Sequence, residues 1–205
     1  MLLTGVASRS TGSACVALHM QYNEREHILA CQGGNTEAFG LIYDRHVRTI
    51  YNFIYYKVFD KDSAEDLTSQ TFFKALKNVN SVDPERPIIS WLYKIAHNSV
   101  LDHYRSTRPS EDIDDYWDIG DETEDVVAKL DTDVDMKRVG QYLKKLSSLE
   151  RDIIMMRVWQ ELPYQAIAEI VGKSEANCKM IYSRSLKKLK SMMPLALFLL
   201  LISNF

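Results

Sequence analysis

Residues 161–190 read ELPYQAIAEIVGKSEANCKMIYSRSLKKLK, and this pattern predicts two helices separated by a tight turn. In the first helix, from Pro163 to Val171, apolar residues recur at helical spacing. Gly172 allows the backbone to reverse, and Ser174 is a favourable N-cap for the second helix. An inward stripe of that helix would comprise Cys178, Tyr182 or Ile181, Ser185 and Leu189. The segment is therefore predicted to be a helix-turn-helix, whose second helix enters a DNA major groove.

The charge of this part of the chain favours nucleic acid as its partner. Any two helices joined by a glycine turn would share the pattern above, so the pattern alone does not decide the function. Residues 137–191 carry 12 Lys and Arg against 5 Asp and Glu, a net charge of +7, which suits a phosphate backbone. The side chains expected to face DNA are Ser174, Asn177, Lys179, Met180, Ser183, Arg184 and Lys187.

The chain of 205 residues divides by charge into three parts. Residues 1–109 have a net charge of +1, whereas residues 110–136 have a net charge of −11. We predict an all-α protein of two small helical domains joined by an acidic linker. The expected segments are a flexible N-terminal extension (1–22), a first domain (23–108), the linker (109–132), the helix-turn-helix domain (133–191) and an apolar C-terminal tail (192–205). The start, at Met1 or Met20, stays open.

The sequence contains no motif for a metal, a cofactor or catalysis. Its 3 cysteines form no C-x-x-C pair, and its 5 histidines form no H-E-x-x-H motif. This usage fits a reducing compartment, and we expect no cofactor, no metal and no enzymatic activity. The apolar run from Leu195 to Ile202 is too short for a membrane span, which needs about 20 residues. It could pack on the last domain, bind a partner or be an artefact of gene annotation.

The first domain is predicted to contain four helices. They are expected from Glu24 to Gln32, from a cap at Asn35 or Thr36 to about Phe59, from the capping-box pattern that starts at Asp62, and from Ile88 to Ser106. On the fourth helix one face collects Trp91, Lys94, Asn98, Asp102 and Arg105. Either Trp91 is the edge of the core beside a solvated polar face, or this face binds unstacked nucleic-acid bases.

Two groups of motifs resemble a known family. Residues 63–72 (SAEDLTSQTF) and 90–98 (SWLYKIAHN), with Asp102 and Arg105, resemble the second conserved region of bacterial sigma factors. Residues 146–189 resemble their fourth region, through Leu-Glu-Arg at 149–151 and Ile-Ala-Glu-Ile at 167–170. With only an acidic connector between them, the chain resembles the extracytoplasmic-function (ECF) group of the sigma-70 family.

The resemblance implies a cytoplasmic sigma factor that directs RNA polymerase core to promoters and assists promoter melting. It implies polymerase-binding residues Asp66, Leu67 and Gln70, and minus-ten contacts at Asn80, Trp91, Lys94, Asn98, Asp102 and Arg105. The second helix of the helix-turn-helix would contact the minus-thirty-five element. Core polymerase and promoter DNA are the expected partners, an anti-sigma factor stays open, and no small-molecule substrate is expected.

The alternative is a stand-alone helix-turn-helix regulator that binds duplex DNA without polymerase. In addition, some positions depart from the family pattern. Ser69-Gln70 replaces the usual Gln-Glu, and Asn177 and Cys178 stand where Thr-Val is common. The promoter sequence therefore does not follow from relatives.

Overall fold

The computed structural model describes residues 23–107 and 134–203, and within these ranges the chain is helical and has no strand. The all-α prediction is therefore confirmed. The predicted N-terminal extension and acidic linker lie outside the described residues. The helices are α1 (Glu24–Gln32), α2 (Ala38–Val58), α3 (Lys61–Lys77), α4 (Ile88–Thr107), α5 (Val134–Leu143), α6 (Ser148–Val158), α7 (Tyr164–Val171), α8 (Glu175–Met192) and α9 (Leu195–Ser203).

The first half of the protein is built on α2, α3 and α4, which pack against one another, with α1 against α2. Phe53 of α2 and Tyr93 of α4 meet edge to face, with ring centroids 4.6 Å apart, and both side chains are buried. The bounds predicted for α1 agree with the structure, as does the start of α4 at Ile88.

The N-caps of α2 and α3 differ from the predictions. The cap of α3 is Asp60, whose Oδ2 accepts a hydrogen bond from the Ser63 amide at 2.8 Å, so the helix begins before the predicted capping box. The cap of α2 is Glu37, and its side chain makes no capping bond. Asn35 instead accepts from the Glu37 amide at 3.1 Å within the preceding turn. Both errors arise because each site offers several capping side chains within a few residues.

The second half contains α5 to α9, and its apolar C-terminal helix packs on the domain. Ser147 and Glu150 form a reciprocal capping box at the start of α6. Helix α9 contacts α5 and α8 through its buried face, formed by Leu197, Phe198 and Leu201. Of the three interpretations of the tail, packing on the last domain is therefore confirmed. The opposite face of α9, with Leu195, Leu199 and Ile202, is exposed.

A buried ionic cluster joins the two halves. Asp152 of α6 places Oδ2 at 2.6 Å from Lys57 Nζ of α2 and at 3.1 Å from His97 Nδ1 of α4. The side chains of Lys57 and Asp152 are 0% and 1% exposed. Burial opposes ionisation of Asp152, but the nearby Lys57 ammonium and the hydrogen bond with His97 outweigh it and hold the pKa of Asp152 below its usual value.

Arg151, the neighbour of Asp152, bonds backbone carbonyls of both halves. Its Nε donates to Leu143 O, at the last residue of α5, and its Nη2 to Leu146 O, just beyond that helix, each at 3.0 Å. Its Nη1 donates to Tyr56 O at 3.0 Å, near the end of α2. Burial lowers the pKa of Arg151 to about 10, so the guanidinium is charged at neutral pH and donates hydrogen bonds to carbonyls at the ends of two helices.

Because α9 packs through one face only, substitutions of a buried and of an exposed leucine in this helix should affect stability differently. Leu201→Ala should remove a fully buried side chain and lower the free energy of unfolding by about 2–5 kcal/mol. For a chain of this size each kcal/mol corresponds to about 2–4 °C in melting temperature. Leu199→Ala is the matched control, because Leu199 is 56% exposed. Thermal melts followed by circular dichroism measure both, and equal shifts would contradict the packing of α9.

Candidate nucleic-acid interface

Helix α4 presents the polar and aromatic face that the sequence predicts. Lys94, Asn98 and Arg105 are exposed, and Trp91 is half-buried against the core. Asp102 lies 3.7 Å from Lys74 Nζ and 3.7 Å from Arg105 Nη1, so it neutralises part of the positive charge at the end of this face. Trp91 therefore serves the core edge and still borders the exposed face, which combines an indole with an amide and cations.

The loop before α4 is held in place by side chains of α1. Gln32 Nε2 donates to Val79 O at 3.1 Å and to Val82 O at 2.8 Å. Glu24 Oε1 accepts from the Ile88 amide at 2.8 Å and so bonds an amide at the start of α4. Asn80, a predicted minus-ten residue, lies exposed between these anchors. The loop is thus fixed relative to α4 before any ligand binds.

Helix α3 places only part of its predicted polymerase-binding set on the surface. Asp66 and Gln70 are exposed, but Leu67 is 2% exposed and belongs to the core. Leu67, predicted to bind polymerase, is therefore not available as a surface contact, because α3 packs this side of the helix against α2 and α4. Phe73 is 59% exposed on the face of Asp66 and Gln70, and the sequence reasoning missed it. Phe73 follows Asp66 by seven residues, and this spacing places both side chains on the same face of a helix, so it could have been predicted from the sequence.

The helix-turn-helix forms where the sequence predicts it. Gly172 ends α7 with φ 66°, a left-handed conformation that glycine adopts at little cost. Ser174 then caps α8, its Oγ accepting from the Asn177 amide at 3.2 Å. Cys178, Ser185 and Leu189 are buried, as the predicted inward stripe requires. The turn at Gly172 and the cap at Ser174 thus set where α7 ends and α8 begins, and the buried stripe of α8 sets which side of that helix faces the domain.

The outward face of α8 carries the predicted DNA-contacting side chains. Lys179 pairs with Glu175 one turn earlier, and its Nζ lies 5.6 Å from the Tyr164 ring centroid. This ion pair holds the Lys179 side chain in place and reduces the net positive charge of that part of the α8 face. Asn177 is half-buried beside the cap. The remaining predicted residues, all exposed, are Ser174, Met180, Ser183, Arg184 and Lys187.

Family models match both halves of the chain. The sigma-70 region 2 model matches residues 42–109, and the sigma-70 region 4 model matches residues 136–189, in the order that the motifs predict. The chain belongs to the sigma-70 family. It is a sigma factor of the ECF type, and a stand-alone regulator, which needs only the second half, does not account for the match to region 2.

Related proteins agree with this assignment. The sigma factor is 30% identical to the ECF RNA polymerase sigma factor BldN of Streptomyces coelicolor over 82% of its own length and 65% of that protein's, just under two thirds. It is 29% identical to the ECF RNA polymerase sigma factor SigM of Bacillus subtilis, over 74% of its own length and 92% of SigM. Both names are those of ECF sigma factors.

A solved structure shares the fold. The sigma factor RpoE of Bartonella quintana, solved in complex with the anti-sigma factor NepR, is 21% identical and superposes with a TM-score of 0.64 over 75% of this chain and 94% of RpoE. None of the helices in the described part of this sigma factor is both long and apolar enough to cross a membrane.

The cap at Ser174 yields a prediction about the recognition helix. Ser174→Ala should lower the free energy of unfolding by about 1 kcal/mol, because the Asn177 amide loses its acceptor. Ser174→Asp should keep the stability, because a carboxylate also caps and suits the helix dipole. Ser183→Ala, on the exposed face of the same helix, is the control. Chemical denaturation measures all three, and a neutral Ser174→Ala would exclude a capping role.

Proposed function

We propose that this sigma factor binds RNA polymerase core through α3 and recognises promoter DNA through two faces, α4 for the minus-ten element and α8 for the minus-thirty-five element. The observation that carries the proposal is the presence, in one chain, of both sigma-70 regions with these faces exposed. The protein acts in the cytoplasm, where polymerase is found. The chemistry of transcription belongs to the polymerase, and the sigma factor supplies no catalytic residue.

The composition of the α4 face supports binding of a single strand. Aromatic and cationic side chains stack on bases and neutralise phosphates, and Asn98 adds an amide that can donate and accept hydrogen bonds. Extruding a base costs a few kcal/mol, which contacts in a preformed pocket must offset. The loop around Asn80, fixed by Gln32 and Glu24, provides such a preformed wall next to Trp91.

The exposed face of α3 supports a protein partner. Asp66 and Gln70 offer hydrogen-bond acceptors, and Phe73 offers a large apolar side chain within the same helical stripe. Aromatic residues, Phe included, are enriched at protein–protein interfaces relative to the rest of the surface. We therefore assign Phe73 the role of apolar anchor that Leu67 cannot fill. An anti-sigma factor, the kind of partner bound to the related RpoE, is a further partner to be sought.

Transcription with purified components tests the function as a whole. Core polymerase is mixed with fragmented genomic DNA, with or without the sigma factor, and the 5′ ends of the transcripts are sequenced. We expect new start sites that share upstream sequence elements, together with co-purification of core and sigma factor. Duplex binding without core binding or new start sites would favour a stand-alone regulator.

Polymerase docking can be tested on α3. Asp66→Lys should reverse a charge at the interface and weaken core binding by about tenfold or more, and Phe73→Ala should do the same by removing the anchor. Glu65→Lys is the control, because it makes the same charge change about 100° around the same helix. Titration with labelled sigma factor measures the affinity. Equal loss with Asp66→Lys and Glu65→Lys would mean a general charge effect instead of a docking face.

Sequence reading by α8 can be separated from phosphate binding. Lys187→Ala should weaken binding to all duplexes alike and make the salt dependence shallower by about one phosphate contact. Asn177→Ala should keep the salt slope and cost about 1–3 kcal/mol at one base pair, since its amide can pair with an adenine edge. Fluorescence anisotropy of the full chain on duplexes from the mapped promoters measures both. If both variants lose affinity for all duplexes alike and with the same change in salt dependence, α8 binds DNA without reading its sequence.

A further inference from the structure

Helix α9 is apolar on the side that faces solvent as well as on the side that packs. Its outer side carries Leu195, Leu199 and Ile202, which are 65%, 56% and 50% exposed. Spacings of four and three residues line these side chains up along one side of the helix, and together they form the α9 ridge. Three of the eight large apolar side chains exposed in the described part of the chain therefore lie on this one helix of nine residues.

The packing of the domain does not explain the α9 ridge. The opposite side of the helix, with Leu197, Phe198 and Leu201, already supplies the buried contacts. A helix that packs through one side usually carries polar residues on the other, and a helix that is apolar all round is usually covered all round. The first polar residue of α9 is Ser203, its last. The sequence of α9 thus suits a helix whose outer side is covered by another molecule.

The charges next to α9 indicate the chemistry of that molecule. Residues 176–205 contain five Lys and Arg and no Asp or Glu. Lys188 lies 3.3 Å from Glu150 Oε2, whereas Lys187 and Lys190 are exposed near the end of α8. Lys190 precedes Leu195 by five residues, so their Cα atoms lie within about 18 Å of each other. An aliphatic ridge and exposed cations therefore occur side by side.

We propose that the α9 ridge binds the surface of an anionic lipid bilayer, with the ridge at the acyl-chain boundary and Lys187 and Lys190 among the headgroups. An apolar helix face of this kind is buried about 5–10 Å deep at that boundary. Lysine stems lie along apolar surface while their ammonium groups stay in the polar layer. Because its other side is packed on α5 and α8, α9 lies on the bilayer without crossing it, and the binding is reversible.

A bilayer fits the α9 ridge better than a protein or DNA does. A stable protein interface takes about 20–30 residues a side, is enriched in aromatic residues and Arg, and includes hydrogen bonds. The ridge has three aliphatic side chains and no hydrogen-bonding group, which is too little for a second copy of this chain. DNA phosphates would bind the lysines but not the aliphatic side chains. A bilayer needs neither directional bonds nor a matching shape.

Flotation of the full chain with lipid vesicles tests the proposal. Vesicles of phosphatidylglycerol mixed with phosphatidylcholine should bind the protein roughly tenfold more tightly than pure phosphatidylcholine, because each cation near an anionic surface adds attraction. A double variant, Leu199→Gln with Ile202→Gln, should lose roughly tenfold or more, since it removes apolar surface from the contact. Gln favours helix, and the buried side of α9 is unchanged. Leu41→Gln on α2, where Leu41 is 47% exposed, is the matched control and should bind as the parent does.

The role of the cations is tested separately. Lys190→Gln should weaken binding to the anionic vesicles roughly fivefold and leave binding to pure phosphatidylcholine unchanged. Lys173→Gln is the control, because it removes the same charge in the turn before α8, about 25 Å away along that helix. Equal losses in both variants would mean attraction by overall charge and would overturn the assignment to the end of α8 and α9.

An environment-sensitive fluorophore shows which part of the chain meets the lipid. The dye nitrobenzoxadiazole is attached to Leu199→Cys or to Leu41→Cys, with Cys15 replaced by serine, since Cys31 and Cys178 are buried. Anionic vesicles should raise and blue-shift the emission at position 199 and leave position 41 unchanged. Unchanged emission at position 199, or vesicle binding that persists in the Leu199→Gln and Ile202→Gln variant, would overturn the proposal. Sedimentation equilibrium supplies a further check, because a parent that dimerises beside a monomeric double variant would assign the ridge to a second copy instead.

Discussion

The first turns of α6 hold the whole arrangement together, because adjacent residues there bond to both halves. Arg151 bonds carbonyls at the end of α5 and near the end of α2, and Asp152 pairs with Lys57 and His97 of region 2. Burying these charges costs several kcal/mol for each ion, which hydrogen bonds and mutual attraction must offset. The cluster therefore fixes where region 4 sits more than it adds to stability.

The two DNA-binding faces are built in different ways. The face of α8 is specified by nearby residues. Gly172 and the Ser174 cap set where the helix begins, and its buried stripe sets which side is exposed. The face of α4 depends on distant residues, because Gln32 and Glu24 of α1 position the loop beside it.

The sequence predicted the local features well and the nonlocal ones poorly. Capping, helical periodicity and a glycine turn act within a few residues, so the bounds of α1, the start of α4 and the turn at Gly172 agree with the structure. Leu67 and Phe73 show the limit, because both are apolar residues of one helix and only the packing of α2 and α4 decides which is buried. The caps at Asp60 and Glu37 were missed because neighbouring polar residues compete for each site.

The sequence by itself determined the helical class and the exposed face of α8, since residue spacing and charge carry this information, and its motifs resemble the two sigma-70 regions in their order. Only the tertiary structure decided that Lys57 and His97 meet Asp152 and that α9 packs through Leu201. It also decided that α7 packs against α4. Lys57 and Asp152 are 95 positions apart in the chain, and no local pattern specifies such a pair. It arises only when helices of both halves bring the two charges out of water together.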